Sequence, residues 1–352
     1  MRFIGNKESL LDKIYLALEQ KNVSGKTFFD FFSGTASVAK FFKRKGYSVT
    51  SCDFLYLSYC LQRAYIVNNS EPKFAQIIPE IAKAEKVLLE SPLDIVLAYL
   101  NKLEPVSGFI YNNYSVGGTK DLKIPRMYLS DANAQKIDAI RIQIEKWKSK
   151  NLLTDDEYYI LLACLIESVG LFANISGVYA AFNKKWDPRA LKSFIIKPID
   201  LVFNKSKNMA FNVDSLTLLE NINTDILYLD PPYNARQYAP NYHLLETIAK
   251  YDNPVIHGIT GIRGYEHQKS SFCNKKTALQ DLDRIASSAK YKYLILSYSS
   301  EGIMSEKDIK SVLSKYGNVE VVRLKYPRYN SHINKKNTKK QYVSELLYIL
   351  KT

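Results

Sequence analysis

Short apolar runs recur along the chain, and amphipathic stretches with helical spacing separate them. Residues 26–34, "KTFFDFFSG", read as a buried strand closing on a glycine turn. Residues 35–46, "TASVAKFFKRKG", place apolar positions at helical spacing and end on glycine, and residues 47–53, "YSVTSCD", form a second strand ending on a carboxylate. The result is a β–glycine turn–α–β–Asp unit with Asp53 19 residues after Gly34. Further strands are expected at 209–213, 225–229, 291–299, 319–326 and 344–350, the last two close enough in sequence to pair antiparallel at a sheet edge. Helical segments at 242–251 and 276–290 fall between them, and this alternation predicts a doubly wound α/β sheet.

The rhythm breaks in the middle of the chain. Long helical patterns at 133–150 and 154–172 surround a polar, glycine-containing segment, "YNNYSVGGTKDLKIPRMY". The expected organisation is a first part of the sheet domain at 1–69, a mostly helical insertion at 70–194, and a second part of the sheet domain at 195–352. There is no internal repeat and no low-complexity tract.

Composition narrows the class. With 46% hydrophobic and 24% charged residues, the 352-residue chain can bury a sizeable core. "MRFIGNKESLLDKI" is too polar for a basic-then-apolar leader, and the most apolar stretch, 158–173, carries Glu167 and is short of a spanning length. A soluble, cytoplasmic protein is expected. Cys52, Cys60, Cys164 and Cys273 show no CxxC spacing and the four histidines are scattered, so a reducing compartment and no metal site are expected. The formal charge of +14 suits a partner with a phosphate backbone, without distinguishing DNA, RNA or an anionic membrane.

Ligands of a doubly wound sheet sit beyond the carboxyl ends of its strands. The Gly34 turn, Asp53 and the stretch Asp230-Pro231-Pro232-Tyr233 would all lie on that rim. A βαβ unit with this spacing commonly binds an adenosine moiety, the turn approaching the ligand and the acid taking the ribose hydroxyls. The Asp-Pro-Pro-Tyr stretch has chemistry of its own. An exocyclic amine on a nucleobase is a poor nucleophile because its lone pair is delocalised into the ring. Fixed acceptors that localise that pair make it reactive. Asp230 offers a carboxylate, Pro231 a backbone carbonyl, and consecutive prolines stiffen the turn. Tyr233 offers a flat face on which an extruded base can stack. The bland alternative is a rigid turn with Tyr233 packed on the core.

These residues carry a resemblance. "RFIGNK" (2–7), "DFFSGTASVAKFF" (30–42), "CD" (52–53) and "DPPYNARQYAPNYHLLETIAKYD" (230–252) resemble the adenine-specific DNA methyltransferases of bacterial type II restriction–modification systems. The order matches the alpha-group, Dam-like and FokI-methylase-like branch: cofactor motif, target-recognition region, then DPPY. The resemblance implies a Rossmann-like class I methyltransferase sheet with an antiparallel edge hairpin and a mostly helical inserted target-recognition domain. It implies S-adenosyl-L-methionine as methyl donor. Phe3, Lys7, Asp30, Phe32, Gly34, Asp53, Asp214 and Asp230 then fall at cofactor positions, and Asp230, Pro231, Pro232 and Tyr233 form the catalytic tetrad. Two departures stand out. Thr35 occupies a position that is glycine in many relatives and is tolerable if its backbone is helical, and Phe3 replaces a tryptophan found in some. The implied partners are double-stranded DNA and a cognate restriction endonuclease encoded nearby, with no membrane partner and a monomeric chain.

Candidate DNA contacts lie in three places. "RLKYPRYNSHINKKNTKK", 323–340, holds seven basic residues and no acid, interleaved with tyrosines, and includes Arg328, Lys335 and Lys336. Lys184 and Lys185 lie in a second basic stretch. Asn112, Asn113 and Arg126 lie in the polar segment of the insertion, expected to be a glycine-permitted loop, Asn being suited to adenine and Arg to guanine in the major groove.

Rival readings are weaker. Cytosine C5 methylation needs a cysteine nucleophile in a Pro-Cys loop, and none is present. Cytosine N4 methylation typically goes with serine in place of Asp230. A nicotinamide oxidoreductase would share the βαβ–Asp unit but needs the further glycines of a dinucleotide turn. An RNA adenine or guanine amino-methyltransferase is the nearest rival, and a non-catalytic DNA-binding regulator is the alternative from another class.

Overall fold

The computed structural model describes residues 5–81, 91–327 and 342–352. Phe3, Arg328, Lys335 and Lys336 lie outside the described residues. The described chain divides into two compact units, one of Gly5–Gln62, Asn204–Tyr238 and His267–Thr352, the other chiefly of Arg63–Phe203 and Ala239–Glu266.

The first unit is built on a seven-stranded mixed sheet. Its strands are β1 (Thr27–Asp30), β2 (Ser48–Cys52), β3 (Met209–Phe211), β4 (Asn223–Leu229), β5 (Lys290–Ser299), β6 (Asn318–Pro327) and β7 (Tyr342–Lys351). Their order across the sheet is β3-β2-β1-β4-β5-β7-β6. The first five strands run parallel, while β7 is antiparallel to both β5 and β6. Alternation explains the two-sided burial. Phe29, Leu227, Leu229, Leu294 and Leu296 face one core with Leu282 and Ile285 of the helix Lys275–Ser288 and Ile309 of the helix Glu306–Leu313. On the opposite face Phe28 stacks on Phe42 of the helix Ser37–Arg44 with ring centroids 3.8 Å apart. Each expected strand is present, with ends shifted by a few residues.

The second unit is helical. The helix Asp155–Phe172 opens with a capping box, Thr154 and Glu157 each accepting from the other's backbone N–H, which satisfies two donors that a helix start leaves unpaired. Arg141, 1% exposed on the helix Asp131–Ser149, donates to the carbonyls of Ile248 and Ala249 at 2.9 and 3.1 Å. A cation at the final carbonyls of the helix His243–Lys250 also suits its dipole. The segment Ala239–Glu266 therefore packs with the helices, although the pattern of strands places it with the sheet. Among the described residues no helix is long and apolar enough to cross a membrane.

Candidate active site

Four parallel strands deliver four aspartates to one rim. Asp30 ends β1, and Asp53, Asp214 and Asp230 follow the ends of β2, β3 and β4. Because β7 runs the other way, its amino-terminal portion reaches the same rim, where Glu345 pairs with Ser299 of β5.

The turn after β1 is strained. Gly34 and Ala36 have φ of +51° and +59°, a left-handed conformation that glycine adopts freely and alanine only at a cost. Thr35 does not share it, which is why threonine is accepted there. Gly34 N–H donates to Asp53 Oδ2 at 2.9 Å, and Leu55 N–H donates to Asp53 Oδ1 at 2.8 Å. Asn6 Oδ1 accepts from Ser37 Oγ at 3.2 Å and from Glu8 N–H at 2.8 Å, tying the amino-terminal segment to the turn. Phe32 packs edge-on against Phe272, centroids 5.1 Å apart. Asp214 is exposed and caps the short helix Ser215–Asn221 through Leu216 N–H.

Charge is concentrated at the centre of the rim. Lys7 Nζ lies 3.0 Å from Asp230 Oδ1 and 3.0 Å from Glu345 Oε1. Ser297 Oγ donates to that same Glu345 oxygen at 2.5 Å. Burial works against the Lys7 charge, but the two carboxylates outweigh it and hold its pKa well above the ordinary value. Burial pushes the Asp230 carboxyl up to about 6; Lys7 opposes this and Glu345 adds to it. Its side chain keeps 18% of its surface, so water still reaches one side. Asp30 is 1% exposed, its Oδ2 has no hydrogen-bond partner among the described residues, and burial, followed by the charge of Asp230, pushes its pKa up to about 7.

The loop after Asp230 is pinned from two sides. Ile303 N–H donates to the Tyr233 carbonyl at 2.9 Å, and the Gln237 side chain exchanges hydrogen bonds with the backbone of Ser270 at 3.0 and 2.7 Å. Pro231 is buried, Pro232 is half-buried, and Tyr233 is half-buried against the core beneath the sheet.

Residues 3–312 match the family model of the D12 class N6 adenine-specific DNA methyltransferases. The chain belongs to that family. As a D12 class methyltransferase it is 41% identical over 98% of its length to the type II methyltransferase M.FokI of Planomicrobium okeanokoites, covering 51% of that protein. It is 38% identical over 99% of its length to the modification methylase StsI of Streptococcus sanguinis, covering 52% of it. It is 36% identical to the type II methyltransferase M.NlaIII of Neisseria lactamica over 99% of each chain. The chain thus spans about half the length of the first two relatives and nearly all of the third. Membership of the D12 class implies a methyl donor of the S-adenosylmethionine type.

In this D12 chain the sequence-derived DNA candidates have varied surroundings. Asn112 is exposed and Asn113 half-buried, both on the short helix Phe109–Tyr114 rather than in a loop. Lys184 and Lys185 are exposed. Arg126 is 7% exposed, and its guanidinium donates to the carbonyls of Ile259, Asn113 and Gly258 at 3.1, 3.0 and 3.0 Å. Sequence reasoning did not find Glu345, Ser297 or Gln237. The one cue was a lone carboxylate in the otherwise apolar "SELLYIL".

Proposed function

We propose that this chain transfers a methyl group from S-adenosylmethionine to the N6 amine of an adenine in double-stranded DNA, at a specific site and within a restriction–modification system. The observation that carries the reading is Asp230 itself. One carboxylate oxygen is fixed by Lys7, and among the described residues the other has no hydrogen-bond partner. It stands next to a buried Pro231 on the rim of a D12 class sheet.

The residues present fit the cofactor. A buried carboxylate, Asp30, whose Oδ2 has no hydrogen-bond partner among the described residues, suits a cationic group. Asp53 beside the Gly34 turn suits ribose hydroxyls, and the face of Phe32 suits an adenine or a sulfonium. Lys7 acts by holding Asp230, and Asp214 borders the adenine end. When bound, the donor supplies an electrophilic methyl group on a positively charged sulfur.

The chain's own residues then prepare the nucleophile. Asp230 Oδ2 and the Pro231 carbonyl accept the two amine hydrogens, so the nitrogen lone pair leaves the ring's conjugation and is available for bonding. Pro231 and Pro232 fix the backbone, and Tyr233 stacks on the extruded ring, which offsets the cost of roughly a few kcal/mol for unstacking it from the duplex. Target recognition falls to the helical unit through Asn112, with Asn113, and to phosphate contacts by Lys184, Lys185, Arg328, Lys335 and Lys336. Arg126 serves by shaping that surface. The chain works as a cytoplasmic monomer beside a cognate endonuclease.

Transfer of labelled methyl to plasmid DNA and to total RNA, with Asp230→Ala alongside, tests the proposal. Label in DNA as N6-methyladenine, lost in the variant, is expected. Label in RNA alone makes the target an RNA amine. DNA binding without transfer makes the chain a regulator.

A further inference from the structure

Glu345 is a carboxylate 1% exposed in the middle of a sheet, followed on its strand by the buried run Leu346–Leu350. Burying a charge costs several kcal/mol unless it is paired, and an apolar replacement for a buried pair is commonly neutral or stabilising. Stability is therefore a poor reason for placing it there. Its described partners are Lys7 Nζ and Ser297 Oγ, and Lys7 is the cation that holds Asp230.

The geometry of the triad limits what Lys7 can do to Asp230. With Asp230 as its sole partner, the ammonium would neutralise the carboxylate and weaken it as an acceptor. With Glu345 at the same distance, the ammonium's charge is shared between two anions. Its position is also fixed, because Glu345 is itself held by Ser297 on the neighbouring strand. Resting on the reading under Proposed function, we propose that Glu345 is a positioning residue for methyl transfer: through Lys7 it fixes Asp230 Oδ1, and it draws off enough of the ammonium's charge that Oδ2 stays a strong acceptor for the target amine. Ser297 is the anchor of this arrangement.

The groups facing Asp230 are Lys7 and Glu345 in the triad, Asp30 from β1, and the tyrosines Tyr228 and Tyr233. Of these, Glu345 is the carboxylate removed without touching a residue assigned to the cofactor or the base.

Glu345→Gln in the full chain tests the proposal through two readouts. Removing the anion takes away its upward push on Asp230, so the Asp230 carboxyl, followed by carbon-13 NMR without DNA, is expected to titrate at lower pH. The single-turnover transfer rate at saturating donor and DNA is expected to fall about tenfold, about 1.4 kcal/mol of barrier, while dissociation constants for both change less than twofold. Ser297→Ala, a milder change that preserves every charge, is expected to lower the rate in the same direction by a smaller factor, and serves if the glutamine variant does not fold. An unmoved Asp230 titration, or a rate loss that follows only a lower melting temperature, overturns the proposal. A wild-type chain that methylates no DNA overturns the functional reading, and the titration, which needs no substrate, still decides whether Glu345 acts on Asp230.

Discussion

The rim of the sheet and the polar stretch of the helical unit both carry buried cations, and they use them in opposite ways. Lys7 is gripped by two carboxylates, one of which keeps an oxygen with no described partner. Arg126 is gripped by three backbone carbonyls, and every described hydrogen bond of its guanidinium is internal. A lysine is a compact charge whose effect reaches the next group; an arginine is a planar fork that can fix two chain segments at once. The first arrangement tunes an acceptor, and the second shapes a loop. A basic residue in a promising motif is thus not by itself evidence of a ligand contact.

Removing the Arg126 fork is the largest break in that comparison. Arg126→Ala removes the donor to the carbonyls of Asn113 and Ile259 and one of the two donors to Gly258, which Gly261 N–H also reaches, and each group left unpaired costs about 1–3 kcal/mol where water cannot replace it. A loss of stability on the order of 3 kcal/mol is expected by denaturant unfolding. Arg126→Lys keeps the charge but not the fork and should recover less than half of it. Wild-type stability in Arg126→Ala, with DNA binding lost, would make the residue a reader rather than a brace.

At the rim the comparison is sharpened by Asp30, a buried carboxyl with one oxygen that has no described partner. Its folded pKa, about 7, lies above an ordinary carboxyl near 3.8, so the folded state holds this proton more tightly than the unfolded chain. Below about pH 4 the group is neutral in both states and costs nothing; as pH rises through 7 the cost of an ionised, buried carboxylate appears in full. Asp30→Asn is therefore expected to be near neutral at pH 4 and stabilising by one to a few kcal/mol at pH 8. Donor affinity should weaken at the same time. Equal stability changes at both pH values would show that the folded chain does not raise the Asp30 pKa.

Much of this was legible in the sequence because local patterns carried it. The β1–turn–helix–β2 unit announced itself by apolar runs, Gly34 and Asp53, and the Asp230–Tyr233 stretch by its two prolines. The triad was not legible. Lys7 and Glu345 are 338 positions apart in a sequence that gives no hint of their pairing, and they meet only because β7 enters the sheet antiparallel beside β5. The membership of Ala239–Glu266 was hidden for a similar reason: the bonds that hold it come from residues far upstream, among them Arg141, Arg126 and Tyr114. Asn112 and Asn113 read as loop residues because Gly117 and Gly118 follow them, yet the segment's helix begins before those glycines act. The backbone N–H groups of Ile110 and Tyr111 at its start are held by Asp138 at 2.9 and 2.8 Å.

The smallest effect separates exposed cations from buried ones. Lys184 and Lys185 are exposed, in contrast to Arg126, and are free to meet phosphates. Removing one lysine that pairs with a phosphate should reduce the steepness with which affinity falls with salt by about one in the log–log slope, uniformly across DNA sequences. Lys184→Ala and Lys185→Ala are therefore expected to flatten the salt dependence while leaving the preferred site and the folding stability unchanged. A changed site preference would move these lysines from positioning to base reading, and an unchanged slope would place this stretch away from the DNA. Because binding is spread over many phosphates, affinity at a single salt concentration would miss the effect of one; the slope is the quantity that isolates it.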